Sequence, residues 1–236
     1  MNARLLAFAV AAASGAHAAV FLGSDPALAF KPIADKFHGT VVDVRGLAAA
    51  PADGGEPALE TVTHGTGTLL GNGLAVTTLH AVALPSPEGR MTPLQHVEVL
   101  VAEKGALPAQ VIAGVADLDL AILELSAPGA ALEAAPPASE APAPGDPLLA
   151  MAVDDQAVIG VGIEVAAADG DLFLLRGKRM LDSRFWGGPL FDARGRLAGI
   201  ILTSLGPSKA ISVRAIQRVI EGRMRAAATP DSPGRH

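Results

Sequence analysis

Cysteine is absent from this chain of 236 residues, and aromatic residues are scarce, with one Trp, no Tyr and seven Phe. The lack of cysteine excludes disulfide bonds, so the hydrophobic core must hold the fold together without covalent links. That core has to be built from aliphatic side chains, of which Val and Ile favour β-strands. The length allows one large domain or two small ones.

An excess of basic residues is also absent, since 18 Lys and Arg stand against 24 Asp and Glu for a formal net charge of −6. The sequence contains no basic stripe, and non-specific nucleic-acid binding depends on clustered Lys and Arg. We therefore expect no nucleic-acid partner. No apolar run is long enough for a transmembrane helix, so we expect no membrane span.

The first 18 residues have the pattern of a secretory signal peptide. A positive charge at Arg4 precedes an apolar run over residues 5–13, and Ala16-His17-Ala18 fits the A-x-A cleavage pattern. We predict cleavage after Ala18 and export across the inner membrane, with a periplasmic or extracellular location. An exported protein without cysteine is typical of the bacterial envelope. The alternative interpretation of residues 1–18 is a buried N-terminal helix.

The rest of the chain is dominated by short strand candidates separated by turns, which predicts an all-β fold. Strands are expected over about 39–125 and again over about 147–212. A segment rich in Pro, Ala and Gly at 126–146 reads as a flexible linker between them. Apolar residues at helical spacing predict a helix over 213–226, and 227–236 reads as a disordered tail. This pattern alone allows two barrels or a sandwich.

Three segments stand out in order along the chain. They are GTGTLLGNGLAVTTLHAV with His80, VADLDLAILEL with Asp119, and RFWGGPLFDARGRLAGI with Trp186. In this order they resemble the active-site segments of the trypsin-like serine proteases, and within that family the bacterial Deg/HtrA-type protease domain. The resemblance runs from about Val41 to Met224. It implies two six-stranded β-barrels and a C-terminal helix within residues 19–226. We expect no PDZ domain after the helix, so we do not carry over trimerisation or chaperone behaviour.

The resemblance places His80 as general base and Asp119 as the carboxylate that orients it. At the position of the nucleophilic serine stands Trp186, whose indole has an N–H donor and no nucleophilic oxygen. The family's glycine two residues earlier, which supplies an oxyanion donor, is replaced by Arg184, and its polar neighbour by Phe185. The predicted cleft and oxyanion region comprises Arg184, Phe185, Gly187 and Gly188. We expect a proteolytically inactive protein that binds a peptide or protein partner, with no cofactor or metal.

Three alternatives remain open from the sequence. Ser183 would have to replace the missing nucleophile if the protein were an active serine endopeptidase with an atypical site. Asp117 competes with Asp119 as the orienting carboxylate, although an exposed turn position is the simpler interpretation of Asp117. A metal-binding envelope protein is the third, weaker alternative. It would draw its ligands from the histidines and nearby aspartates, namely His64, His80, His96, Asp117 and Asp119.

Overall fold

The computed structural model describes residues 20–21, 29–50, 58–126, 132–155, 157–177 and 180–228. Two helices, α1 (Lys31–Phe37) and α2 (Val213–Ala228), accompany fifteen strands in this part of the chain. The strands are β1 (Val20–Phe21), β2 (Val41–Ala49), β3 (Leu59–Gly71), β4 (Leu74–Thr78), β5 (Ala83–Pro85), β6 (Met91–Pro93), β7 (His96–Val101), β8 (Gly105–Val115), β9 (Leu120–Leu125), β10 (Pro147–Asp154), β11 (Ala157–Asp169), β12 (Leu172–Arg176), β13 (Pro189–Asp192), β14 (Leu197–Leu202) and β15 (Lys209–Ser212).

The first barrel closes in the order β2-β3-β4-β9-β8-β7, and every pairing in it is antiparallel. Residues Gly71, Asn72 and Gly73 all have positive φ at the β3–β4 connection. Gly and Asn tolerate this conformation best, which explains the tight hairpin predicted there. Alternate side chains of the strands point inward and form an aliphatic interior around residues such as Val44, Leu69 and Leu123.

The second barrel is a ring of six antiparallel strands, β10-β11-β12-β15-β14-β13, which closes through the pairing of β13 with β10. Strand β1 adds to its outside, parallel to β11. The predicted β13–β14 hairpin turns at Asp192, whose carboxylate accepts the backbone N–H groups of Arg194 and Arg196. The expectation of two six-stranded barrels with a C-terminal helix is confirmed.

The two barrels share one apolar interface, and both helices pack onto it. Phe37 of α1 stacks on Phe191 of β13 with ring centroids 5.3 Å apart. Val213 and Ile216 of α2 are buried in the same cluster. Helix α1 was not predicted, because seven residues with a proline in the first turn and no side-chain cap give no helical period to detect. This interface fixes the position of one barrel against the other.

The connection between the barrels is more ordered than its composition predicts. In its described part, 132–146, backbone hydrogen bonds join Ala138 N–H to Leu197 O and Leu197 N–H to Pro136 O, each at 2.8 Å. Ala135 and Ala138 are also buried. The expectation of a flexible linker is therefore wrong for residues 136–138, which backbone hydrogen bonds hold against Leu197 of β14.

The structure describes only part of the two predicted termini. The predicted signal peptide, 1–18, lies outside the described residues, as does 229–236 of the predicted tail. Helix α2 runs two residues past the predicted end, to Ala228. Neither described helix is long and apolar enough to cross a membrane.

Candidate active site

His80 and Asp119 lie on two short 3-10 turns of the first barrel. His80 is in the middle of Leu79–Ala81, directly after β4, and Asp119 follows Ala116–Leu118, directly before β9. Asp119 adopts a left-handed conformation, with φ of 49°, which Asp tolerates better than most residues. The Leu79 N–H donates to Asp119 O at 2.9 Å and ties the turns together.

The Asp119 carboxylate makes two contacts with His80. Oδ2 lies 2.5 Å from the imidazole Nδ1, and Oδ1 accepts the His80 backbone N–H at 2.9 Å. With Nδ1 bound to the carboxylate, Nε2 is the ring nitrogen left to accept a proton from a substrate or a nucleophile. The structure thus brings together the residues that the resemblance pairs as base and orienter.

Thr203 contacts this pair from the second barrel, and no motif in the sequence points to it. Its hydroxyl, directly after β14, donates to Asp119 Oδ2 and lies 3.4 Å from His80 Nδ1. Burial opposes ionisation of the Asp119 carboxyl, but the hydrogen bonds from His80 and Thr203 outweigh it and lower its pKa below the ordinary value of 3.8. Asp119 is therefore held as a carboxylate at neutral pH.

Trp186, at the predicted nucleophile position, stands beside His80. The indole and imidazole rings meet edge to face, with centroids 5.6 Å apart and an interplanar angle of 87°. Trp186 is partly buried against the interior cluster of the second barrel, where Phe185 is only 3% exposed. The indole occupies space next to His80 and presents no oxygen to it.

The two glycines after Trp186 lie where the chain has no room for a side chain. Gly187 has a φ of 82°, and a Cβ there would come 2.2 Å from the Thr66 carbonyl oxygen. A Cβ on Gly188 would meet the Met151 carbonyl oxygen at the same distance. Both glycines are therefore required by close contact with neighbouring backbone, whatever the chemistry at residue 186.

The segment before Trp186 forms a 3-10 turn, Ser183–Phe185, capped by Asp182. The Asp182 carboxylate accepts the Arg184 backbone N–H at 3.1 Å and binds the Arg184 guanidinium through Nε at 3.0 Å and Nη2 at 2.7 Å. These hydrogen bonds lower the pKa of Asp182 and raise the pKa of Arg184 further above its usual value. Arg184 Nη1 also bonds to the Asp154 carboxylate at the end of β10.

The comparisons with known proteins identify the family of the chain. A family model described as the trypsin-like peptidase domain matches residues 65–200, more than half of the chain and a range that includes His80, Asp119 and Trp186. The chain belongs to the trypsin-like peptidase family. A search of curated proteins found no match.

Among solved structures, this trypsin-like peptidase domain is similar to one titled "Crystal structure of Rv3671c protease, inactive form". The TM-score is 0.62 at 17% identity, and the match covers 89% of this chain and 99% of that one. At this identity the likeness supports the shared fold alone. The matched lengths show that the two chains have nearly the same extent of fold.

A polar cleft of about 550 Å³ lies between the barrels of this trypsin-like domain, with His80 in its wall. Strands β2 and β3 supply one wall, and the end of β10 with the 183–184 turn supplies the other. Ser183 is exposed there, so the alternative nucleophile and His80 border the same cleft. The other charged or polar residues in the wall are Asp43, Arg45, Thr61, His64, Thr66, Asp154, Asp155 and Arg184.

The remaining residues singled out from the sequence do not assemble with this site as ligands. Asp117 is exposed on the turn before Asp119, and His96 is exposed at the start of β7. Within the described ranges, no group of three or more His, Asp or Glu side chains is arranged to hold a metal ion. His64 lines the cleft but joins no such group.

Thr66 connects the first barrel to the altered turn of the second. Its hydroxyl donates to Arg184 O at 2.7 Å and accepts the Val153 N–H at 3.0 Å, while the residue itself is 2% exposed. Sequence reasoning missed Thr66, Thr203 and Asp182 as site residues. Their partners are distant along the chain or depend on a local turn, so only the folded chain reveals them.

Proposed function

We propose that this protein is a secreted or periplasmic trypsin-like peptidase homologue that is proteolytically inactive and acts by binding a peptide or protein partner. The observation that carries the proposal is Trp186, which stands at the nucleophile position with its indole edge-on to His80. The export part of the proposal rests on the signal-peptide pattern of residues 1–18.

Acyl transfer in this fold needs a serine hydroxyl, a histidine base with its carboxylate, and backbone donors for the oxyanion. His80 and Asp119 supply the second requirement. The first is missing, and loss of the nucleophile from such a triad costs about six orders of magnitude in rate. A well-formed base without a nucleophile supports a binding role rather than catalysis.

The cleft supports binding of an extended, polar segment. Its volume of about 550 Å³ lies within the range typical of ligand sites. Its walls carry hydroxyl, imidazole, carboxylate and guanidinium groups that can pair with a peptide's main chain and polar side chains. The imidazole of His80 forms part of the wall, and the indole of Trp186 lies beside that imidazole.

A second candidate function, an active endopeptidase with an atypical site, is favoured by one observation. The exposed Ser183 hydroxyl borders the same cleft as His80. Intact-mass measurement after incubation with a fluorophosphonate probe separates the two functions. We expect no adduct on the wild-type protein. A stoichiometric adduct on the wild type that disappears in Ser183→Ala would overturn the binding proposal in favour of this alternative.

The binding role has its own test, a site-specific photo-crosslinker placed in the cleft of the protein in its native host. Replacement of the exposed Thr61 in the cleft wall should trap a partner, whereas the same crosslinker at the exposed Gly222 of α2 should not. Equal products from both positions, or none from the cleft position, would contradict partner binding in the cleft.

A further inference from the structure

The backbone N–H groups around the nucleophile position are all engaged within the protein. The N–H groups of residues 184, 185, 186, 187 and 188 donate, in that order, to Asp182 Oδ1, Asp182 O, Ser183 O, Ile201 O and Phe185 O. In a trypsin-like site the oxyanion is held by the N–H of the nucleophile and by the N–H two residues before it. Here those two groups are the N–H of Trp186 and the N–H of Arg184.

The donor at Arg184 is bound by a negatively charged group of the protein itself. The Asp182 carboxylate lies 3.1 Å from the Arg184 nitrogen, at hydrogen-bonding distance from the donor that would face a substrate oxyanion. The second donor, Trp186 N–H, bonds to Ser183 O at 3.2 Å within the 3-10 turn. An oxyanion would have to displace both acceptors.

The carboxylate is fixed in place from two directions. The Arg184 side chain folds back onto Asp182 through Nε and Nη2 and reaches Asp154 on β10 through Nη1. On the other side, Thr66 of the first barrel holds the Arg184 carbonyl at 2.7 Å. The turn is therefore bound to both barrels as well as to its own cap.

We propose that Asp182 and Arg184 form an internal lock that keeps the oxyanion donors closed, independently of Trp186. The lock deepens the proposed function, on which it rests, because it is a second barrier to acyl transfer. It predicts that a serine at position 186 does not by itself restore a reactive site. Asp182 acts as a positioning residue, through its hold on the Arg184 N–H.

The test measures labelling by a fluorophosphonate in variants that carry Trp186→Ser. Labelling forms a bond from the serine oxygen to phosphorus, breaks the P–F bond, releases fluoride and passes the hydroxyl proton to His80. We expect Trp186→Ser alone to label at least about 100-fold more slowly than the triple variant Trp186→Ser, Asp182→Ala, Arg184→Gly, since one oxyanion donor is worth that much in rate.

Two controls separate the lock from general loosening. Asn at position 182 still accepts the N–H of residue 184 and caps as well as Asp, so Trp186→Ser, Asp182→Asn, Arg184→Gly should label as slowly as Trp186→Ser alone. Trp186→Ser with Glu164→Ala removes the exposed Glu164–Arg176 ion pair elsewhere on the same barrel and should also label slowly. Cooperative thermal unfolding checks that each variant is folded.

A measurement on single variants keeps the test decisive if the triple variant fails to fold. Native-state hydrogen exchange at the residue 184 amide should be about 10-fold faster in Asp182→Ala than in Asp182→Asn. Rapid labelling of Trp186→Ser, equal labelling of the Ala and Asn triple variants, or equal exchange in the two single variants would overturn the lock. Labelling of the wild type would overturn the proposed function instead, so the two failures are distinguishable.

Discussion

The half of the site on the first barrel and the half on the second barrel match the protease pattern to different degrees. On the first, His80 and Asp119 are joined at 2.5 Å, as a general base and its orienting carboxylate should be. On the second, the glycines and Pro189 after the nucleophile position match the pattern, but residues 184–186 do not. The departure from the pattern is therefore confined to one turn.

This difference indicates that the glycines of the Gly-Gly-Pro-Leu segment are required by the packing of the fold. Gly187 and Gly188 lie against the carbonyl oxygens of Thr66 and Met151, where a Cβ would approach to 2.2 Å. These contacts join β3 and β10 to the turn regardless of which residue precedes the glycines. Packing therefore explains the match at Gly187 and Gly188, whichever residue stands at position 186.

The largest loss of stability is expected at Gly187, where packing explains the match to the protease pattern. Gly187→Ala forces a side chain into a left-handed backbone and against Thr66 O, so we expect a loss of about 3 kcal/mol or more in the free energy of unfolding. Gly222→Ala, in open space on α2, should instead gain up to about 1 kcal/mol. Urea unfolding measures both, and a neutral Gly187→Ala would show that the turn adapts easily.

A smaller loss of stability is expected when the hydrogen bonds of the Thr66 hydroxyl, which connect the two halves, are removed. Thr66→Val keeps the shape of the side chain but leaves the Val153 N–H and the Arg184 carbonyl without their partner, which should cost about 2 kcal/mol. The exposed Thr61→Val in the same strand should stay within about 0.5 kcal/mol of the wild type. Equal stability of the two variants would mean that Thr66 does not hold the turn.

The sequence predicted the contacts that lie within motifs and missed those that barrel closure creates. The resemblance to the active-site segments of trypsin-like proteases assigned His80 and Asp119, and the turn residues predicted the hairpin at Gly71–Gly73. Thr203 carries no such pattern, because it reaches Asp119 only when β14 of the second barrel lies beside the first. The packing of residues 136–138 was missed for a similar reason, since their backbone partner, Leu197, lies on β14.

The ionised carboxylate of the first barrel gives the next prediction. Because the pKa of Asp119 is lowered in the folded protein, its charge stabilises the fold above the ordinary value of 3.8, and that contribution is lost as the pH falls through the lower folded value. Asp119→Asn should therefore cost about 1–2 kcal/mol at pH 7, with the deficit shrinking below about pH 4. Unfolding at pH 7, 5 and 3 measures it.

The neighbouring exposed residue provides the control for this titration. Asp117→Asn should change the free energy of unfolding by less than about 0.5 kcal/mol across the same pH range. A deficit in Asp119→Asn that stays constant down to pH 3 would mean that shape, not charge, explains the role of Asp119.

The smallest expected effect on stability concerns the direct contact between the two halves of the site, the rings of His80 and Trp186. An edge-to-face pair of this kind is worth about 0.5–1 kcal/mol beyond the area it buries, less where one ring is partly exposed, as His80 is. A double-mutant cycle of His80→Ala and Trp186→Ala should therefore give a coupling of that size in urea unfolding. A cycle of His80→Ala with Phe173→Leu, deep inside the second barrel, should give none. If the effects of the two substitutions proved additive, the indole would contribute no interaction energy with His80. The energetic contact of the second barrel with His80 and Asp119 would then come from Thr203 rather than from Trp186.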